Sequence, residues 1–190
     1  MNAILVHGIT DKKDFFNDRY PSLSNSHWFP WLQKHLAMHD VETQTPEMPR
    51  PWGPPAPSYK KWKEVFEQFP VNGDTVLVGH SAGAGFLLKW LSENKVKVKK
   101  LILVAPFTDP IKRRGTFLKF KLDPSIQKRA GSIDIFYSTD EPVKGVKETV
   151  DATMAICPKA KLHTFKTMGH FTYEEMKTNQ FPALLDLIVH

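Results

Sequence analysis

A single cysteine, Cys157, is all the thiol chemistry in this chain of 190 residues, which excludes an intramolecular disulfide. That fits a reducing compartment, with Cys157 read as an inert packed thiol. Long apolar runs are also missing. Nothing approaches the roughly 20 residues of a membrane span, and Met1–Val6 is too short and lacks the basic start of a signal peptide. The expectation is a soluble, cytoplasmic protein with no membrane span. Zinc-ligand spacing, RNA-binding signatures, internal repeats and low-complexity tracts are absent. No metal or organic cofactor is therefore expected, and nucleic acid is not the expected partner.

The net charge of +6 is gathered partly into Lys95-Lys97-Lys99-Lys100 and Lys112-Arg113-Arg114. Such clusters attract polyanions when they form a surface. The first lies in the link between a helix and a strand, where charge runs are usually solvated faces. The second is left open between ordinary loop and a contact for an acidic substrate.

What the chain does have is 41% apolar and 12% aromatic residues, enough for one substantial core and one domain spanning 1–190. Short apolar runs alternate with amphipathic stretches from end to end. Strands are expected at Ala3–Val6, Val41–Thr45, Thr75–Gly79, Leu101–Ala105, Ile133–Tyr137 and Leu162–Phe165. Helices are expected at Ser26–Met38, Ser58–Gln68, Ala82–Glu93, Ser125–Ala130, Val143–Ile156 and Tyr173–Val189. This alternation predicts an α/β fold: a doubly wound, mostly parallel six-stranded sheet with helices on both faces. Ligands of such sheets bind beyond the carboxyl ends of the strands. The proline-rich segment 46–57 follows the second strand and reads as a stiff loop at that edge.

The third strand runs into Gly79-His80-Ser81-Ala82-Gly83, and a helix with apolar spacing follows. A serine hydroxyl is a poor nucleophile until a base takes its proton, so it must be exposed beside a histidine. Glycines two residues either side of Ser81 remove Cβ atoms where strand and helix backbones meet, which is how a nucleophile elbow raises its serine above a sheet. Strand before and helix after are the context that this motif requires.

In this kind of fold the acid follows the serine and the histidine follows the acid. His163 falls within the last strand and His190 ends the chain, which leaves His170, between the last strand and the last helix. Asp140 follows the fifth strand and is the preferred acid; Glu141 beside it and Asp109 after the fourth strand are its rivals. For an oxyanion hole the expected donors are the backbone N–H groups of Ala82 and Ile9, with Thr10 as the alternate to Ile9. Trp28, Trp52 and Phe107 are candidates for a substrate pocket.

The chain resembles the RBBP9/YdeN-like serine hydrolases, a compact branch of the α/β-hydrolase superfamily. The likeness rests on His7-Gly8, His27-Trp28-Phe29-Pro30-Trp31-Leu32, Met48-Pro49-Arg50-Pro51, Val78-Gly79-His80-Ser81-Ala82-Gly83-Ala84, Ser138-Thr139-Asp140-Glu141-Pro142-Val143 and Gly169-His170-Phe171. It implies a Ser-Asp-His triad at Ser81, Asp140 and His170. The stretch from Pro106 to Ser132 is too short for a full lid domain. The expected function is hydrolysis of a small ester or amide through an acyl-enzyme. The alternative from another class is a binding or scaffolding module on the same fold.

Overall fold

The strongest strand in the sequence, Thr75-Val76-Leu77-Val78, is β-branched and apolar on both faces, a composition that suits the middle of a parallel sheet. A computed structural model describes residues 1–110 and 115–190. Its first half contains β1 (Asn2–Val6), β2 (Thr10–Asp11), α1 (Lys12–Phe15), a 3-10 turn at Leu23–Asn25, α2 (Phe29–Met38), β3 (Glu42–Gln44), β4 (Trp52–Gly53), α3 (Tyr59–Phe66) and β5 (Thr75–His80). Its second half contains α4 (Ala82–Glu93), β6 (Val98–Val104), α5 (Ile126–Arg129), β7 (Ala130–Ser138), α6 (Val146–Ile156), β8 (Lys161–Phe165), α7 (Tyr173–Met176) and α8 (Pro182–Val189).

Six strands form one sheet in the order β3-β1-β5-β6-β7-β8, with every neighbouring pair parallel. All six residues of β5 are buried. Strand order reverses between β1 and β5. Right-handed crossovers therefore send α2 to one face and α3, α4 and α6 to the other. The aromatic packing agrees. On one face Phe86 of α4 meets Trp62 and Phe66 of α3 at ring separations of 5.7 and 5.4 Å. On the other, Phe181 before α8 meets Trp28 at 5.7 Å and Phe136 of β7 at 5.3 Å. Cys157 is buried in this core, and burial pushes its thiol pKa up.

Three details depart from expectation. The last helix is two pieces, α7 and α8, because Lys177 takes a left-handed φ of 57° and Pro182 has to start a new helix. Helix α6 starts at Val146, behind Gly145 at φ 104°, rather than at Val143. Two short strands form beyond the six expected: β2 pairs in parallel with β4, Thr10 opposite Trp52. The proline-rich loop is thereby tied to the carboxyl end of β1, where strand order reverses.

Candidate active site

Ser81 follows β5 directly at φ 54°, ψ −122°, a conformation that costs a non-glycine residue roughly 1–3 kcal/mol. Neighbouring backbone holds it there. The Ser81 N–H donates to the Val104 carbonyl at 2.9 Å, and the Ser81 carbonyl accepts from Phe107 and Gly85 at 3.1 and 3.2 Å. The corner closes because two side chains are missing. A Cβ on Gly79 would stand 2.5 Å from the Ala84 Cα, and one on Gly83 would stand 2.2 Å from the Val6 carbonyl oxygen. The α4 helix can thus start directly against β1, with Ser81 at the rim.

From Ser81 a chain of hydrogen bonds runs inward. The Ser81 hydroxyl lies 2.8 Å from His170 Nε2, and His170 Nδ1 lies 2.9 Å from both carboxylate oxygens of Glu141. Glu141 is nearly fully buried, with a side-chain exposure of 3%, and its Oε1 also accepts the Val143 N–H at 2.8 Å. The acid expected at Asp140 is therefore corrected: the carboxylate that meets the histidine belongs to Glu141. Asp140 turns the other way. Its Oδ1 accepts from the Ser138 hydroxyl and from the Gly169 N–H at 3.0 Å, and the Ser138 contact holds its carboxyl below the usual carboxylate range. Asp109 lines a separate cavity with Thr108 and Leu118.

The histidine's own backbone is held on both sides. Glu175 accepts the His170 N–H, and His80 Nε2–H donates to the His170 carbonyl at 2.7 Å. Asp140 adds the Gly169 contact one residue earlier, and the Trp28 indole donates to the Phe171 carbonyl at 3.1 Å one residue later. Burial pushes His80 well below the ordinary histidine range, so it serves as a neutral donor. His7 is likewise depressed by burial. Its Nδ1–H donates to the Gly8 carbonyl at 2.7 Å, and its Nε2 accepts the Met48 N–H at 2.8 Å. His7 thus pins the loop after β1.

Ala82 is the first residue of α4, and the first intrahelical bond is made by Gly85, so the Ala82 amide has no partner within the helix. Across from it, Gly8 packs against Ser81, and Ile9 lines the cavity at the nucleophile. Thr10, the alternate donor, has its N–H committed to the Pro51 carbonyl at 2.9 Å. That leaves Ile9.

A cavity of about 350 Å³ opens over Ser81 and His170. None of the three aromatic residues proposed for it lies on its wall. Trp28 is fully buried and stacks on Phe29 at 4.2 Å; Phe107 is buried behind the elbow; Trp52 packs on Phe15 at 4.4 Å and so supports the wall from behind. The apolar wall is instead Ile9, Phe15, Tyr20, Pro21 and Leu23, from the segment between β1 and α2, and His27 completes it. The basic segment Lys112-Arg113-Arg114 lies outside the described residues. Lys95 of the other basic cluster pairs with Asp123 at 2.6 Å, and Lys100 donates to the Leu187 carbonyl. Among the described residues no group of three or more His, Cys, Asp or Glu side chains is placed to hold a metal ion, and no helix is long and apolar enough to cross a membrane.

A strained serine after a central parallel strand, hydrogen-bonded to a histidine that a buried carboxylate holds, is the arrangement of the α/β-hydrolase fold. The chain belongs to the serine hydrolase family, whose model matches residues 19–188. The Bacillus subtilis protein YdeN is 26% identical over 181 residues, covering 89% of this chain and 90% of YdeN. The crystal structure of the ydeN gene product aligns with a TM-score of 0.81 at 24% identity, over 98% of this chain and 96% of that one. Methylesterase MES16 from Arabidopsis shares the fold with a TM-score of 0.65 at 12% identity, over 99% and 98% of the two chains. Carboxylesterase CesB from Bacillus subtilis does so with a TM-score of 0.61 at 10% identity, over 99% and 82%.

Proposed function

We propose that this hydrolase cleaves small esters or amides through an acyl-enzyme on Ser81, with His170 as general base and acid and Glu141 as the carboxylate that orients it. The observation that carries the reading is the unbroken relay from the Ser81 hydroxyl to His170 Nε2 and from Nδ1 to Glu141. In the first half-reaction the Ser81 Oγ attacks the substrate carbonyl while its proton passes to Nε2. The imidazolium, stabilised by Glu141, then protonates the departing alcohol or amine as the carbonyl–heteroatom bond breaks. Water repeats the sequence on the acyl-enzyme, with His170 again taking the proton, and Ser81 leaves with its hydroxyl restored. The Ala82 and Ile9 amides receive the charge that develops on the carbonyl oxygen. The two similarly folded esterases and a cavity of about 350 Å³ support a small ester as the first class to try.

The test is covalent labelling with a fluorophosphonate, followed by a panel of acyl esters, thioesters and amides. Wild type should be labelled on Ser81, and Ser81→Ala should lose both labelling and about 10⁴- to 10⁶-fold in turnover. Folded wild-type protein that takes no label would favour the scaffolding alternative and sink the hydrolytic reading.

A further inference from the structure

His27 has no part in the relay, yet it forms part of the same cavity as Ser81 and His170. It holds a left-handed φ of 57°, a conformation uncommon outside glycine and one that His and Asn tolerate better than most residues. Its ring is fixed by two contacts. The Tyr173 N–H donates to His27 Nδ1 at 3.1 Å, and the ring edge meets His80 with centroids 5.8 Å apart. An Nδ1 that accepts a backbone hydrogen bond carries no proton, so the imidazole bears its hydrogen on Nε2. The Glu174 carboxylate, 3.9 Å from that same Nδ1, therefore forms no ion pair with it; burial, the largest influence on this group, also favours the neutral ring.

The remaining wall decides what such a donor can read. Ile9, Phe15, Pro21 and Leu23 give it an apolar side, and among the described residues its charged side chains are the carboxylates of Asp14 and Glu174. An anionic group would find no counter-charge there among the described residues, whereas an uncharged acceptor oxygen would find the His27 N–H beside the hydroxyls of Ser26 and Thr172, which already donate to the Ser22 carbonyl and to Glu175. We propose that His27 is a specificity-determining residue, which donates from Nε2 to an uncharged ether or carbonyl oxygen of the substrate, distinct from the carbonyl under attack. This rests on the hydrolytic reading of the same cavity.

Matched p-nitrophenyl esters test it, each pair differing by one methylene replaced with an ether oxygen, moved stepwise along the acyl chain. A second set places the oxygen in the leaving alcohol. Wild type should prefer one oxygen-containing member over its methylene partner by roughly three- to tenfold in kcat/KM, the range of one neutral hydrogen bond. His27→Gly, which suits the positive φ, should bring that ratio to one or below. His27→Asn, which tolerates the same φ and keeps an N–H donor, should restore part of it. Fluorophosphonate labelling of Ser81 runs beside each variant. A labelled wild type with no preference anywhere in the series, or a preference that His27→Gly leaves unchanged, overturns the proposal alone. Failure to label wild type removes the hydrolytic reading and this proposal with it.

Discussion

Glu141 and Asp140 are neighbours in one turn, and their carboxylates do different work. Glu141 is buried against His170 Nδ1, while Asp140 staples the loop that carries His170 through Ser138 and Gly169. Removing the charge of the first should leave the imidazole without its orienting acceptor in the required tautomer. Replacing the second with Asn retains an acceptor oxygen for the Gly169 N–H. The hydrogen bonds to the His170 peptide give a related expectation. Glu175→Ala deletes the acceptor of the His170 N–H, and kcat should fall by roughly tenfold or more with KM little changed, since misplacing a base by about 1 Å costs up to about a hundredfold. Steady-state kinetics of Glu175→Ala and Glu175→Gln check it: a kcat loss in the Ala variant that Gln, which keeps an acceptor oxygen, largely restores fits a positioning role, and equal losses in both contradict it.

Two elements meet at the elbow with no room to spare. A Cβ at Gly83 would overlap the Val6 and His7 carbonyl oxygens, at 2.2 and 2.4 Å, and the backbone of β1 has no flexible end to yield. Gly83→Ala should therefore destabilise the fold by at least the roughly 1–3 kcal/mol typical of overpacking, and it should part β1 from α4. A lowered melting temperature together with lost fluorophosphonate labelling would show both effects; an unchanged melting temperature would contradict the close approach. At this scale the elbow was legible in the sequence because strand, turn and helix signals fall within twenty consecutive residues around Ser81. The acid was not, because Asp140 and Glu141 share a turn where no helical or strand period fixes which side chain points inward. Nor was the cavity wall. Residues 12–25 hold one short helix and a 3-10 turn, too brief to show periodicity, and they follow the β2 strand that pairs with β4. The core takes the large aromatics Trp28 and Phe107, and sequence alone does not separate pocket from core for such residues.

Across the whole molecule the doubly wound parallel sheet could be anticipated, because alternating strands and helices with right-handed crossovers leave few arrangements, but its strand order is a finding of the structure. That order brings Gly8, Ser81, Glu141 and His170 to one edge from four separate stretches of chain. It also buries His7 and His80, with His27 half-buried beside them, and burial lowers the pKa of each from its ordinary value near 6.5. Above that value folded and unfolded chains both hold these rings neutral, so they contribute no pH dependence. Below it the unfolded chain takes up protons that the folded chain resists, and stability falls as pH drops from about 6.5 toward the lowered folded values. A group held neutral in this way contributes about 1.4 kcal/mol per pH unit over that window. Melting curves from pH 7.5 to 5 should show the decline, and His80→Gln, which keeps a donor for the His170 carbonyl, should make it shallower. A melting temperature flat across that range would contradict the buried neutral rings.

The central claim is that reactivity at Ser81 depends on the carboxylate of Glu141 acting through His170. The most direct measurement is the second-order rate of fluorophosphonate labelling in wild type, Glu141→Gln and Asp140→Asn, with melting temperatures recorded alongside. Glu141→Gln should label about 10²- to 10⁴-fold more slowly than wild type, while Asp140→Asn stays within about tenfold of it. The reverse order, or two folded variants labelling at the wild-type rate, would contradict the relay.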